Sequence, residues 1–200
     1  TGVTVTGIES DGPIVETDAG DRSPDAVVVA TDPNTAGELT GVETPTGTKA
    51  CVSVHCSIPD HQKLDTGARI MLNAADGEPN AIAPMSAAAP EYAPDGTQLL
   101  TATFLGSREE SDGALGKVVR NTLDAWYPEH YFGDLEVVGV DRIEFAQFEQ
   151  PPGFRTTIPS IDTPDGPVVL AGDYTRWCSI QGALESGREA AEELLCADGG

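Results

Sequence analysis

Two hundred residues carry 33 Asp and Glu against 11 Lys and Arg, a formal charge of −22, with 39% hydrophobic residues. A periodic hydrophobic fraction of that size excludes an acidic disordered chain, and the lack of any basic stripe excludes nucleic-acid binding. Such a surface repels itself in dilute salt but stays hydrated near 1 M salt, where the Debye length is about 3 Å, and this points to an extreme halophile.

The length suffices for a sizeable core, and parts of two domains are expected. No run approaches the roughly 20 apolar residues of a membrane span, and no basic segment precedes a short apolar one as in a signal peptide. Cys51, Cys56, Cys178 and Cys196 are too few and too scattered for a disulfide framework, so reduced thiols in a cytoplasmic protein are expected.

In chain order, Val3 to Ile8, Ile14 to Thr17 and Ala26 to Ala30 read as strands separated by Asp-Gly and Gly-Asp turns. Asp32 to Gly47 reads as a loop. Cys51 to Ile58, Ala68 to Asn73 and Gln98 to Leu105 are further strand candidates, interrupted by Asp76-Gly77 and by the Pro-rich stretch Pro84 to Pro94. Alternation puts Cys51 and His55 on one face of their strand and Cys56 on the other, so these residues and His61 do not converge on a metal; none is expected. The spacing instead places Val52, Val54 and Ile58 in a core.

Leu115, Val118, Val119, Thr122, Leu123 and Trp126 recur at helical intervals, with Asp112 as a cap and Pro128 as a stop. Glu136 to Val140 and Arg142 to Phe148 are strand-like and rich in β-branched and aromatic residues. The apolar run Val168 to Ala171 then meets Gly172-Asp173-Tyr174-Thr175, and Ser179 is positioned to cap a long helix. In that helix Ile180, Ala183, Leu184, Gly187, Ala190, Ala191, Leu194 and Leu195 predict a buried face, with Glu185, Glu189, Glu192 and Glu193 opposite. Gly182 and Gly187 each weaken a helix by roughly 1 kcal/mol relative to Ala, so close approach is expected at both: a ligand at Gly182 and a sheet at Gly187. A strand that delivers a Gly-Asp turn to a helix N-terminus is how α/β proteins hold a phosphate or a cofactor ring.

From about Pro151 to Leu195 these residues resemble the C-terminus of the flavin-containing amine oxidases and their relatives, the phytoene desaturases and protoporphyrinogen oxidases. The likeness lies in the strand, the Gly172-Asp173-Tyr174-Thr175 turn, Ser179-Ile180-Gln181-Gly182-Ala183 and Ser186-Gly187, with Pro151-Pro152-Gly153-Phe154 ahead of them. Asp25 to Thr31 is similar to the strand before the family's substrate domain, and Ala87 to Gly96 to a desaturase segment.

The resemblance implies an α/β to α+β fold, in which a mixed β-sheet substrate domain over residues 42–149 is inserted between residues 1–41 and 150–200 of an FAD-binding domain. It implies FAD as cofactor, with Asp173 accepting hydrogen bonds from the ribityl or pyrophosphate region and Gly172 allowing close approach. The N–H groups of Gln181, Gly182 and Ala183, in the turn that Ser179 and Ile180 open, would face the flavin C2 carbonyl, where negative charge develops as a hydride arrives. Val5 would hold the adenine through backbone atoms. The family's Gly-x-Gly-x-x-Gly fingerprint is absent from these residues, so the chain reads as the C-terminal part of a longer enzyme whose Rossmann-like first part lies elsewhere, and alone it is expected to be inactive and to bind FAD weakly or not at all.

The substrate implied is a small apolar molecule such as a polyene, with peripheral membrane contact, or an amine. Together with the charge, the resemblance suggests a haloarchaeal source. His130, Tyr131, Tyr92, Arg155, Tyr174, Arg176 and Trp177 are chemically capable side chains, none of which the pattern singles out as catalytic. A non-catalytic acidic binding or surface module of a halophile is the alternative, and the glycine-bearing helix after a buried Gly-Asp turn argues against it.

Overall fold

A computed structural model describes residues 2–10, 12–62, 64–75 and 77–197. Asp11 and Asp76, which open two of the expected Asp-Gly turns, lie outside the described residues, as does Lys63. The chain forms two compact units, residues 1–47 with 147–200 and residues 48–146.

In the first unit, β1 (Val5–Glu9) and β2 (Ile14–Thr17) make an antiparallel hairpin, with a register shift between Val5 and Gly7. Strand β3 (Val27–Val29) runs parallel to β9 (Val168–Leu170), pairing Val27 with Val168, Val28 with Val169 and Val29 with Leu170. All three residues of β9 are buried, and the amide of Ala171 carries the ladder on to the carbonyl of Val29 at 2.9 Å.

The stretch expected to be a loop after β3 contains helix α1 (Pro33–Thr40), which packs on β1. Its signals are local. The Asp32 carboxylate accepts from the amides of Asn34 and Thr35 at 3.0 and 3.1 Å, Pro33 supplies a first-turn φ, and Gly41 ends the helix at φ 71°. The bond from the Thr35 hydroxyl, with the two amides, holds the Asp32 pKa below the ordinary carboxylate value.

The second unit is a five-stranded sheet in the order β5-β6-β7-β4-β8. Its long antiparallel pair is β4 (Thr48–Pro59) with β7 (Thr97–Leu105), in register from Cys51 opposite Leu105 to Pro59 opposite Thr97. Strands β5 (Met71–Leu72) and β6 (Ala81–Pro84) extend it on one side, and β8 (Glu136–Phe148) flanks β4 on the other. A short helix α2 (Met85–Ala88) stands in the Pro-rich stretch, where the sequence predicts only a loop.

Two-residue alternation drives Val52, Val54, Cys56, Ile58, Ile82, Leu100, Ala102 and Phe104 to one face, where they meet Leu115, Val119 and Leu123 of α3 (Asp112–Trp126). Ser111, not Asp112, caps α3 by accepting from the Ala114 amide at 3.3 Å. At Gly116 a Cβ would meet the Val137 side chain, so the glycine lets α3 lie close to β8. Where two strands were expected around Asp141, β8 continues unbroken. Asp141 turns to the face opposite the core and meets His55 Nε2 at 3.1 Å, so it costs the core nothing.

Cys56 is fully buried, and burial pushes its thiol up to about 12. Cys51 and His55 stand on the other face, half-buried, and no group of three metal-ligating side chains converges among the described residues. Among the described residues, no helix is long and apolar enough to cross a membrane.

Candidate functional site

The end of β9 delivers the chain into Gly172 in extended conformation, then a 3-10 turn over Asp173–Thr175, and then α4 (Ile180–Ala197), which packs on the turn and on β9. Glycine is required at 172 for space: a Cβ there would run into the Tyr174 ring, which is itself buried. Ser179 caps α4 as expected, its hydroxyl accepting from the Gly182 amide at 2.9 Å.

A hydroxyl that spacing alone does not reveal fixes the turn against the helix. Ser186, fully buried, accepts from the Gly172 amide at 2.9 Å and shares a hydrogen bond with the Thr175 hydroxyl at 2.8 Å. Thr175 donates in turn to the Gly172 carbonyl at 3.0 Å. Ser186 stands in the series Gly182, Ser186 and Ala190, small residues four apart, and all three are buried.

That series is the side of α4 facing the protein, which corrects the expected buried face except at Ala190. Ile180, Leu184 and Leu195 are 78%, 70% and 73% exposed, and Ala183, Gly187 and Ala191 are exposed with them. The physical reason is twofold. Small residues let the helix approach the turn closely, and the Gly172 amide needs the hydroxyl that only this side offers.

Gly182 also has a steric role within the chain. A Cβ there would meet the Trp177 carbonyl, so the glycine makes room for the chain's own backbone. At Gly187 nothing lies within 4 Å of such a Cβ, and the predicted contact with a sheet does not occur.

The first-turn amides are divided. Those of Gly182 and Ala183 donate to Ser179, the former to its hydroxyl and the latter to its carbonyl at 3.0 Å. Those of Ile180 and Gln181 have no protein acceptor among the described residues. Asp173 presents its carboxylate beside Cys178, and burial, with that neighbouring carboxylate, pushes the Cys178 thiol up to about 11. The Cys178 amide is fastened to Gln150 Oε1 at 3.1 Å. The Tyr174 hydroxyl is buried without a partner among the described residues, and burial, with the charges of Asp32 and Asp173, pushes it up to about 12.

Of the other expected residues, Val5 stands in the β1–β2 hairpin, a separate element from this strand, turn and helix. The structure brings Arg155, Arg176 and Trp177 around one cavity of the first unit. His130, Tyr131 and Tyr92 belong to the second unit, where His130 stacks on Phe132 at 5.8 Å and both tyrosines are exposed. A larger cavity of the first unit, 880 Å³, is lined by Glu38, Glu43 and Glu149 together with Asn34, Thr44 and Phe154.

A sequence model of the flavin-containing amine oxidoreductases matches residues 1–195. The chain belongs to that family. FAD is accordingly its cofactor. Among solved structures, a protein from Exiguobacterium sp. 255-15 provisionally named a protoporphyrinogen oxidase is similar at 15% identity and a TM-score of 0.70, over 96% of this chain and 46% of its own. An oxidoreductase from Methanosarcina mazei gives 15%, 0.69, 96% and 49%, and reduced UDP-galactopyranose mutase gives 14%, 0.58, 76% and 37%. The chain thus spans about half the length of the first two and shares their α/β fold. No curated protein sequence matches it.

The turn fits such a cofactor by the chemistry of its donors and acceptors. A carboxylate suits hydroxyl groups, and two adjacent unspent amides at a helix N-terminus suit a carbonyl oxygen that gains charge.

Proposed function

We propose that this chain is the substrate-domain and flavin-closing part of an FAD-dependent oxidoreductase that removes hydride from an organic substrate. The observation that carries the reading is the Gly172-Asp173 turn, stapled to α4 by Ser186 while the amides of Ile180 and Gln181 have no acceptor among the described residues. When bound, the flavin supplies the two-electron chemistry. The chain's own part is to hold it: Asp173 accepts from the ribityl hydroxyls, and the Ile180 and Gln181 amides stabilise charge at the ring's carbonyl edge.

Between the two substrate classes the sequence suggests, an amine is favoured over a polyene. Glu38, Glu43 and Glu149 around the 880 Å³ cavity attract a cation, whereas a polyene there would strand carboxylates against hydrocarbon. In this reading residues 42–149, Glu43 and Glu149 among them, carry the substrate-binding role together with Glu38 of α1. The acidic surface keeps the protein soluble in concentrated salt.

The test is flavin content. Protein purified in high salt from its own host, at whatever length the host makes it, is expected to show oxidised-flavin absorbance, and Asp173→Asn is expected to retain less FAD. A colourless, flavin-free protein overturns the proposal. The isolated 200-residue chain is expected to take up FAD weakly and to oxidise nothing; tight stoichiometric uptake in a fluorescence titration contradicts that part.

A further inference from the structure

In a chain with three acids for every base, a base that finds no acid is worth following. Arg155 is one. Its guanidinium lies over two aromatic rings, 6.0 Å from the Phe154 centroid and 5.7 Å from that of Trp177. Among the described residues no carboxylate comes within 4.0 Å of it.

Arg155 lines a cavity of 360 Å³ whose other charged walls are Arg176, Glu185 and Glu189. Two of these cancel: Arg176 is ion-paired with Glu189, which also has Arg188 at 3.9 Å. Glu185, from the second turn of α4, has no cation within 4.0 Å among the described residues. Opposite charges therefore line one cavity without closing on each other. The remaining walls include Ile158, Pro159 and Trp177, which are apolar.

Arginine held against aromatic rings loses little further side-chain freedom, and its planar fork matches a carboxylate with two parallel bonds. A carboxylate on α4 suits an ammonium. We propose that this cavity binds a small zwitterion of the amino-acid type, its carboxylate on Arg155, its ammonium on Glu185 and its apolar side chain against Trp177 and Ile158. The inference stands on these charges alone and does not depend on the flavin.

Trp177 reports on the site once the only other tryptophan is removed, so the experiment uses the whole chain carrying Trp126→Phe. Leucine is the probe, with isoamylamine and 4-methylpentanoate as its single-charge counterparts. Leucine is expected to change Trp177 fluorescence saturably, and Arg155→Gln and Glu185→Gln are each expected to weaken it about tenfold or more. The pattern across probes carries the assignment: isoamylamine responds only to Glu185→Gln, and 4-methylpentanoate only to Arg155→Gln. Absence of a saturable leucine response overturns the proposal, as does an affinity unmoved by Arg155→Gln or a loss shared equally by both single-charge probes. Should Arg155→Gln lose its circular-dichroism spectrum, Arg155→Lys keeps the charge without the fork and is expected to fall between wild type and no binding.

Discussion

Helices α3 and α4 each carry an apolar stripe at helical intervals and use it in opposite ways. In α3 the stripe of Leu115, Val119 and Leu123 is buried under a sheet. In α4 the stripe of Ile180, Leu184 and Leu195 is exposed, and the helix instead buries Gly182, Ser186 and Ala190. A helical pattern of leucines shows that a face is apolar; what that face meets depends on which elements lie beside it.

This contrast can be broken most forcefully at its buried end. Leu123→Ala, at a fully buried site, is expected to cost about 2–5 kcal/mol in denaturant unfolding of the second unit. Leu184→Ala, the same change at a 70% exposed site, is expected to stay within about 0.5 kcal/mol. Equal losses at the two positions would show that α4 packs the way α3 does.

Next in size is the hydroxyl that replaces apolar packing in α4. Ser186→Ala leaves the Gly172 amide and the Thr175 hydroxyl without their partner and is expected to cost about 1–3 kcal/mol in the first unit. Hydrogen exchange at Gly172 should rise in that variant before exchange in α3 does.

The two glycines of α4 sharpen the point by sign. Gly182→Ala pushes a methyl group towards the Trp177 carbonyl and is expected to destabilise by about 1–3 kcal/mol. Gly187→Ala enters open space on the exposed side and is expected to stabilise by about 0.5–1 kcal/mol. Melting temperatures moving in the same direction for both would contradict the observed orientation of the helix.

The smallest effect is a slope with pH. A group whose pKa is raised on folding contributes stability that is whole below its unfolded pKa and is lost as pH climbs towards the folded one. For Cys56 the window runs from 9.0 to about 12. Urea midpoints of the second unit are expected to fall through that window, less steeply in Cys56→Ala; a midpoint independent of Cys56 there would count against its burial.

Much of the fold was legible because it rests on short-range rules. Two-residue alternation identified Cys51 to Ile58 and Gln98 to Leu105, and Ser179 announced the start of α4. Helix α1 was missed although Asp32, Pro33 and Gly41 bracket it, because its apolar content is too slight to show a period. Asp141 misled by polarity, since a strand with one open face carries an aspartate freely.

At the candidate site the turn and its cap could be read directly, whereas the staple could not. Ser186 lies 14 residues from the amide it binds, and nothing local distinguishes it from a solvated serine. The charges around Arg155 were equally hidden, because Arg155, Trp177 and Glu185 meet only when the segment before β9 folds against α4.

By itself the sequence determined the acidic surface, the alternating strands, the start of α4 and the Gly-Asp turn, because each depends on composition or on neighbours a few residues away. Tertiary structure alone decided which side of α4 is buried, which of its amides remain free and which charges share a cavity. Those outcomes depend on what a distant segment offers in space: a backbone amide needing an acceptor, a carbonyl needing room, or a guanidinium with no acid beside it.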